Sequence, residues 1–404
     1  MKIKVSLCMA VLLITAASVF SQTPTKWRGP EENGVYPDKG LLKVWPATGP
    51  EAAWTYNELG LGYSSPVIVG DNIFVSGAEG EIGNLYKLSL KGELIWKVPY
   101  GKEFTESYPG SRSCPVIVGD QLYILSGMGQ LFCLKTSDGS KIWSKDIFKD
   151  FDGSQITWGL NETVVVDGNT LYCTPGGKTN NVIALNRMSG ELIWTSPGMG
   201  NKAAYCTPLL VKLAKRKILV TMTASNILGI DATTGKLLWN QEQTNQWSVH
   251  ANTPLYAEGG LFCFSGYGKG GVKLKLNDDG SAITKEWVST TLDSRIGGAV
   301  VVNGYIYGSG DNNRAWQCAD WKTGVQKYAS TELAKGNVIY ADGMLYCYSE
   351  KGDLALVAAD PAGFKIISKT KVTAGSDQHW AHLVINNGIL YLRHGKALIA
   401  YKIK

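Results

Sequence analysis

Residues 229–239 read Gly-Ile-Asp-Ala-Thr-Thr-Gly-Lys-Leu-Leu-Trp. The stretch reads as a short strand, a tight turn and a second strand. Ile230, Leu237 and Leu238 are the apolar positions, and Asp231 and Thr234 suit a turn. Gly235 supplies a backbone angle that side chains resist. Trp239 ends the unit. Burying an indole removes roughly 150–250 Å² from water, about 4–6 kcal/mol of gross hydrophobic gain at ~25 cal/mol per Å². A lone hairpin cannot cover such a ring, so the unit needs a neighbour.

The chain repeats the unit. Leu85–Trp96 reads LYKLSLKGELIW, Leu131–Trp143 reads LFCLKTSDGSKIW, and Val182–Trp194 reads VIALNRMSGELIW. Looser copies run over Val272–Trp287, Trp316–Tyr328 and Leu354–Ile367. Each copy follows another hairpin, such as PVIVGDNIFVSG from Pro66 and PVIVGDQLYILSG from Pro115. The turns of these first hairpins fall at Gly70, Gly119, Gly168, Gly259, Gly304, Gly343 and Gly388, with Ala214-Lys215 in the remaining slot. Four strands at such spacing are the signature of a propeller blade. Eight first hairpins therefore predict an all-β, eight-bladed β-propeller of four-stranded antiparallel blades, over residues 51–404. The eighth blade ends one strand short at Lys404. Ala52-Ala53-Trp54-Thr55-Tyr56 has the missing outer-strand pattern, so the ring is expected to close through this N-terminal strand.

Composition narrows the function classes. The chain has 404 residues, 44% hydrophobic, 18% charged and 47 of them glycine, with a formal charge of +6. The charge is mild and forms no Lys/Arg run, which argues against nucleic acid as a partner. Residues 1–21 read as a secretory signal peptide: Lys2 and Lys4 start it, an apolar run follows, and Val19-Phe20-Ser21 offers a cleavage site. No other stretch is long enough to span a bilayer. The expected product is exported, periplasmic or extracellular, soluble after cleavage, and a monomer. Residues 22–50, with Trp27-Arg28-Gly29-Pro30 and Trp45-Pro46, read as an ordered extension packed over one propeller face. Seven cysteines remain after the leader, without a CxxC pair. Cys173, Cys263 and Cys347 recur at matching strand positions and read as small buried apolar residues.

GIDATTGKLLW and ALNRMSGELIW resemble the repeats of pyrroloquinoline-quinone (PQQ)-type propellers. WRGPEENGV, GLGYSSPVIVGD, LYCTPGGK and SGYGKGGVKLKL are similar to an exported, PQQ-like branch of that family. The branch has been likened both to quinoprotein alcohol dehydrogenases and to the propeller lipoprotein of outer-membrane protein assembly. The resemblance implies the architecture across residues 27–404. It offers PQQ with Ca²⁺ as the cofactor and an alcohol or sugar dehydrogenase as the activity, or an envelope-assembly scaffold. Fold alone does not choose among these.

In a propeller, the loops leading into the innermost strands and those joining strands two and three share one face. Aligned on Pro66, this placement gives candidate ligand-binding residues Arg112, Glu162, Tyr205, His250, Asn252, Tyr267, Arg295, Arg314, Lys335, His379, His382 and Arg393. All four histidines map there. The expectation is a basic, aromatic-walled mouth for a small anionic or polyol ligand, or an envelope protein. Arginine grips carboxylates in a fork and histidine titrates near neutrality. No catalytic residue emerges. The adjacent-cysteine pair and haem-attachment motif of the large dehydrogenases are missing. Glu162 and Asn252 offer oxygens to Ca²⁺, which wants six to eight. His379 and His382 lack a third zinc ligand. The favoured reading is ligand or partner binding without redox catalysis, and no resident metal.

Overall fold

The computed structural model describes residues 24–404; the expected leader at 1–21 lies outside the described residues. Eight antiparallel sheets follow one another along the chain. Blade 1 comprises Val67–Val69, Asn72–Glu79, Ile82–Ser89 and Leu94–Lys102, paired in that order. Blades 2 to 7 repeat the pattern over residues 116–146, 165–196, 209–242, 255–289, 299–330 and 336–371. Blade 8 has Val384–Asn386, Ile389–His394 and Ala397–Lys402, and Ala52–Tyr56 completes it from outside. Trp54 lies opposite Ala400 and Tyr56 opposite Leu398. The ring thus closes through the N-terminal strand, as the sequence predicts, and leaves no missing blade edge.

The repeated Gly and Trp meet across blades. Trp54 Nε1 donates to Leu90 O in the next blade's turn at 2.8 Å, Trp143 to Arg187 O at 2.9 Å, Trp194 to Ala232 O at 3.1 Å and Trp239 to Gly280 O at 3.1 Å. Each ring lies against the following turn. Gly235 has φ +76°, and a Cβ there would come within 2.7 Å of the Trp194 ring. Gly92 stands in the same relation to Trp54, Gly190 to Trp143, and Gly324 to Trp287. The turn glycine therefore serves two ends: it permits the left-handed backbone and clears a seat for the preceding blade's indole. Trp194 and Trp239 are buried; Trp54, Trp96 and Trp143 are half-buried.

A second set of bonds ties the first four blades together. The Ser65 amide donates to Cys114 Sγ (3.2 Å), the Cys114 amide to Thr163 Oγ1 (3.1 Å), and the Thr163 amide to Thr207 Oγ1 (3.0 Å). Each residue precedes the innermost strand of its blade. A polar side chain here satisfies a backbone donor of its neighbour, which a buried amide requires. All seven described cysteines are buried and free.

The N-terminal extension does not lie over a face. Thr25 and Ile117 exchange backbone-directed bonds on blade 2 (2.9 and 2.8 Å), Arg28 Nη2 donates to Ala299 O on blade 6 (2.7 Å), and Val35–Tyr36 pairs in parallel with Tyr340 and Ala341 on blade 7. A segment touching the innermost strands of blades around the ring must occupy the axis. Glu32 N→Gly29 O and Gly34 N→Arg28 O close its tip. The segment leaves beside the Asp342 and Gly388 turns, where the Leu41 amide donates to Asp342 and the Gly388 amide to Asp38. Residues 24–38 thus form a hairpin plug, and Tyr36, Leu41 and Trp45 are buried. The axial space rewards apolar and aromatic burial more than an outer face does.

Candidate functional site

Above the plug lies a cavity of about 230 Å³. Loops leading into the innermost strands of every blade but the seventh contribute to its walls. Trp380 stands 5.1 Å from Tyr63 and 5.0 Å from Tyr108, centroid to centroid, forming one wall. Trp158, 6.2 Å from Tyr205, forms another. Tyr267 enters from the loop between strands two and three of blade 5. Trp27 comes from the plug and packs 4.9 Å from His382, so the floor is built by the chain's own N-terminal segment. Asn161, Thr163 and Thr207 add polar groups. Seven aromatic rings therefore surround a space somewhat smaller than the roughly 300–1,000 Å³ typical of ligand pockets.

Two guanidinium groups reach this space, and they differ. Arg112 donates through Nη1 to Gly110 O (3.0 Å) and through Nη2 to Tyr108 O (2.6 Å), and its plane rests 5.6 Å from Tyr63 and 5.7 Å from Phe104. Burial lowers its pKa, with the Glu103 charge opposing. Arg295 lies 5.7 Å from the Tyr267 ring. It belongs to a balanced cluster: its Nε is 3.5 Å from Asp311 and its Nη2 3.5 Å from Glu350, while Lys335 pairs with both carboxylates. Two cations face two anions, so Arg295 brings little net charge to a ligand.

The twelve candidates divide accordingly. Arg112, Tyr205, Tyr267, Arg295 and His382 line the cavity. His382 is buried, its Nε2 is 3.0 Å from Ile296 O, and desolvation pushes its pKa down to about 3, so the ring is neutral. Glu162, His250 and Asn252 lie beneath the surface, serving the backbone. Asn252 donates to Phe264 O and Ser294 O and accepts from Gly298 N. His250 Nε2 sits 3.3 Å from Ala224 O, and burial lowers its pKa to about 4. Lys335 sits in the charge cluster outside the lining. Arg314 stands exposed at a left-handed turn, φ +53°. His379 stacks on His394 beside the cavity wall. Arg393 is fully buried, with its fork spread over carbonyl and hydroxyl oxygens of blades 1 and 8. Trp27, Tyr108, Trp158 and Trp380 line the cavity without having been singled out. Trp158 and Trp380 sit within a few residues of the blade-entering positions, and aromatics in those loops were the signal available.

Ca²⁺ with a quinone does not fit these donors. Both Glu162 oxygens accept from Thr174 N at 3.1 Å, and burial raises that carboxyl to about 8, leaving it protonated at neutrality. The Asn252 amide is consumed by backbone. Asp293 accepts from the amides of Gly268, Asp311 and Asn312. No group of three metal-ligating side chains occurs among the described residues.

Glu162 gives a pH prediction. Its folded pKa lies above its unfolded value, so the folded state holds the extra proton between roughly pH 4.5 and about 8. Its contribution is fully present below the unfolded value and is lost as pH rises through that window. Glu162→Gln should raise stability at pH 8 by on the order of 4 kcal/mol relative to its effect at pH 4, flattening the profile. The oxygen of the new amide would accept from the Thr174 amide, as the carboxyl does. Chemical unfolding of both proteins from pH 4 to 8 reads this directly; parallel profiles would contradict it.

The chain matches the family model described as outer membrane protein assembly factor BamB over residues 82–330. It is 27% identical over 138 residues to outer membrane protein assembly factor BamB of Alkalilimnicola ehrlichii, covering 33% of this chain and 32% of that protein. It is 22% identical over 152 residues to quinoprotein alcohol dehydrogenase PedH of Pseudomonas putida, covering 36% of this chain and 24% of that protein. The alignments thus span a quarter to a third of those relatives. Among solved structures, BamB from Moraxella catarrhalis superposes with TM-score 0.62 at 14% identity, covering 88% of this chain and 98% of that one. A europium-containing methanol dehydrogenase gives 0.66 at 12% identity, covering 90% and 88%. These structural likenesses show the propeller fold. With the model matching well over half of its length, the chain belongs to the PQQ-like propeller family described as outer membrane protein assembly factor BamB.

Proposed function

We propose that this propeller is an exported binding protein whose cavity takes a small polyhydroxylated ligand, a saccharide unit carrying at most one acidic group, without redox chemistry of its own. The observation that carries this reading is the wall of seven aromatic rings with a single guanidinium, Arg112, that has no carboxylate within ion-pair distance among the described residues. Ring faces pack against the C–H face of a pyranose, while Arg112, Asn161 and the threonine hydroxyls meet its oxygens. A planar tricarboxylate would need several free cations, and Arg295 is already neutralised. A cationic ligand would compete with Arg112 and Arg295, which occupy the faces of Tyr63 and Tyr267. We read residues 1–21 as the export leader, 22–50 as an N-terminal extension whose described part, from residue 24, is the plug and its exit, and 51–404 as the ring. Among the described residues no helix is long and apolar enough to cross a membrane.

Titration of the protein with neutral hexoses, hexuronates, quaternary ammonium salts and PQQ with Ca²⁺, followed by tryptophan fluorescence, tests this. Saturable quenching by a sugar or uronate is expected. Saturation by the quinone instead would favour a dehydrogenase-like site. A response to none, together with retention of an envelope protein, would favour a docking scaffold.

A further inference from the structure

The loop 373–382 runs from the outer strand of blade 7 to blade 8 and carries Trp380, a wall of the cavity. It is held by a pair of stacked imidazoles. The His379 and His394 ring centroids lie 3.7 Å apart with an interplanar angle of 18°. His394 grips the loop at two points: Nδ1 is 2.7 Å from Ala374 O and Nε2 is 3.0 Å from Asp377 O. Both partners are acceptors, so the ring nitrogen that carries the proton donates to the loop backbone. His379 is gripped in turn from blade 7, where the Tyr348 hydroxyl meets its Nδ1 at 2.5 Å. A hydroxyl that donates here favours the neutral ring. Gly352 abuts its other edge, where a Cβ would stand 2.6 Å from Nε2.

We infer that the His379–His394 pair is a latch that holds loop 373–382, and with it the Trp380 wall, while His379 is neutral, and releases it when that ring takes a proton. Protonation would place a cationic ring face-on against His394, turn Nδ1 from acceptor to donor, and require the Tyr348 hydroxyl proton to rotate away. The surroundings agree. Burial, then His394 and Lys371, lower the His379 pKa to about 4, against Asp353. The other charged group facing the pair is Asp377 on the loop itself, which accepts from Ser376 Oγ at 2.6 Å; Lys371 and Asp353 on blade 7 are 3.3 Å apart. Because the folded pKa is lowered, the contribution of the neutral ring is present above the unfolded value and is lost as pH falls toward the folded one. The bearing of the latch on ligand release rests on the cavity reading. The latch itself is a property of the unliganded protein, so either idea can fail alone.

The test is fluorine NMR of protein labelled with fluorotryptophan, titrated from pH 7 to 3.5 without ligand, with Trp380→Phe to assign the signal and the His379 ring followed by carbon labelling. The Trp380 signal should move with the same midpoint as His379, while Trp194 and Trp239 keep their native shifts. In His379→Phe, which keeps a flat ring but no titrating nitrogen, the Trp380 signal should be flat across the range. Tyr348→Phe removes the donor to Nδ1, so both midpoints should rise together. A Trp380 signal that stays still while His379 titrates, or that moves unchanged in His379→Phe, or midpoints that separate in Tyr348→Phe, overturns the latch.

Discussion

Arg393→Met should lower the stability of the ring by about 4 kcal/mol and its melting midpoint by roughly 5–10 °C. Arg393 is the tie between the last blade and the first. Its Nε donates to Gly395 O at 3.0 Å and its Nη2 to Gly60 O at 2.9 Å; its Nη1 reaches Ser64 Oγ and Ser76 O, each at 2.5 Å. No carboxylate pairs with it among the described residues, and burial lowers its pKa to about 10. Methionine removes the desolvated charge, which is favourable, but takes the guanidinium donor from Gly60 O and Gly395 O in a site closed to water, and leaves Ser76 O only the Ser64 hydroxyl. The orphaned acceptors decide the sign, because an unsatisfied buried polar group costs roughly 1–3 kcal/mol. Arg393→Lys should rescue little, since one ammonium cannot span acceptors laid out for a planar fork. Thermal unfolding by calorimetry measures both; a midpoint within a degree of the parent for the methionine variant would show that the tie carries no weight.

That residue also marks the limit of what the sequence discloses. The blades were legible because one short pattern meets two demands at once: Gly235 and its equivalents need a positive φ and a bare Cα, and Trp194 and its equivalents need a neighbour to cover them. Local chemistry and long-range packing agree at those positions, so counting turns counts blades. The missing outer strand of blade 8 was legible for the same reason, since Trp54 obeys the rule against Gly92. The mouth was not. Alignment on Pro66 brings residues to the correct loops but does not say which way a side chain turns. Glu162, His250, Asn252 and Arg393 turn inward to satisfy backbone groups, a requirement that no spacing displays. The plug was hidden too. WRGPEENGV has neither strand nor helix periodicity, and its place on the axis follows from the hollow that eight blades leave behind. Trp27 was therefore read as covering a face, when it forms the floor under Trp380 and Tyr63.

Trp380→Ala should weaken binding of the sugar by about 30-fold or more. Aromatic side chains packed in a confined site commonly contribute 2 kcal/mol or more to binding, and each 1.4 kcal/mol is about tenfold. Trp380 bridges Tyr63 and Tyr108, so its loss removes one ligand-facing surface and frees two neighbouring rings. Trp380→Phe should recover part of the affinity. The fold should survive, because Trp380 sits on a loop and takes no part in the blade seams.

The cavity account stands on one comparison: calorimetric titration of the parent and of Trp380→Ala with the hexose or hexuronate that quenches tryptophan most strongly. The account predicts saturable one-to-one heat for the parent and binding about 30-fold or more weaker for the variant at equal folded content. Equal affinity in both proteins would place the ligand elsewhere and contradict it.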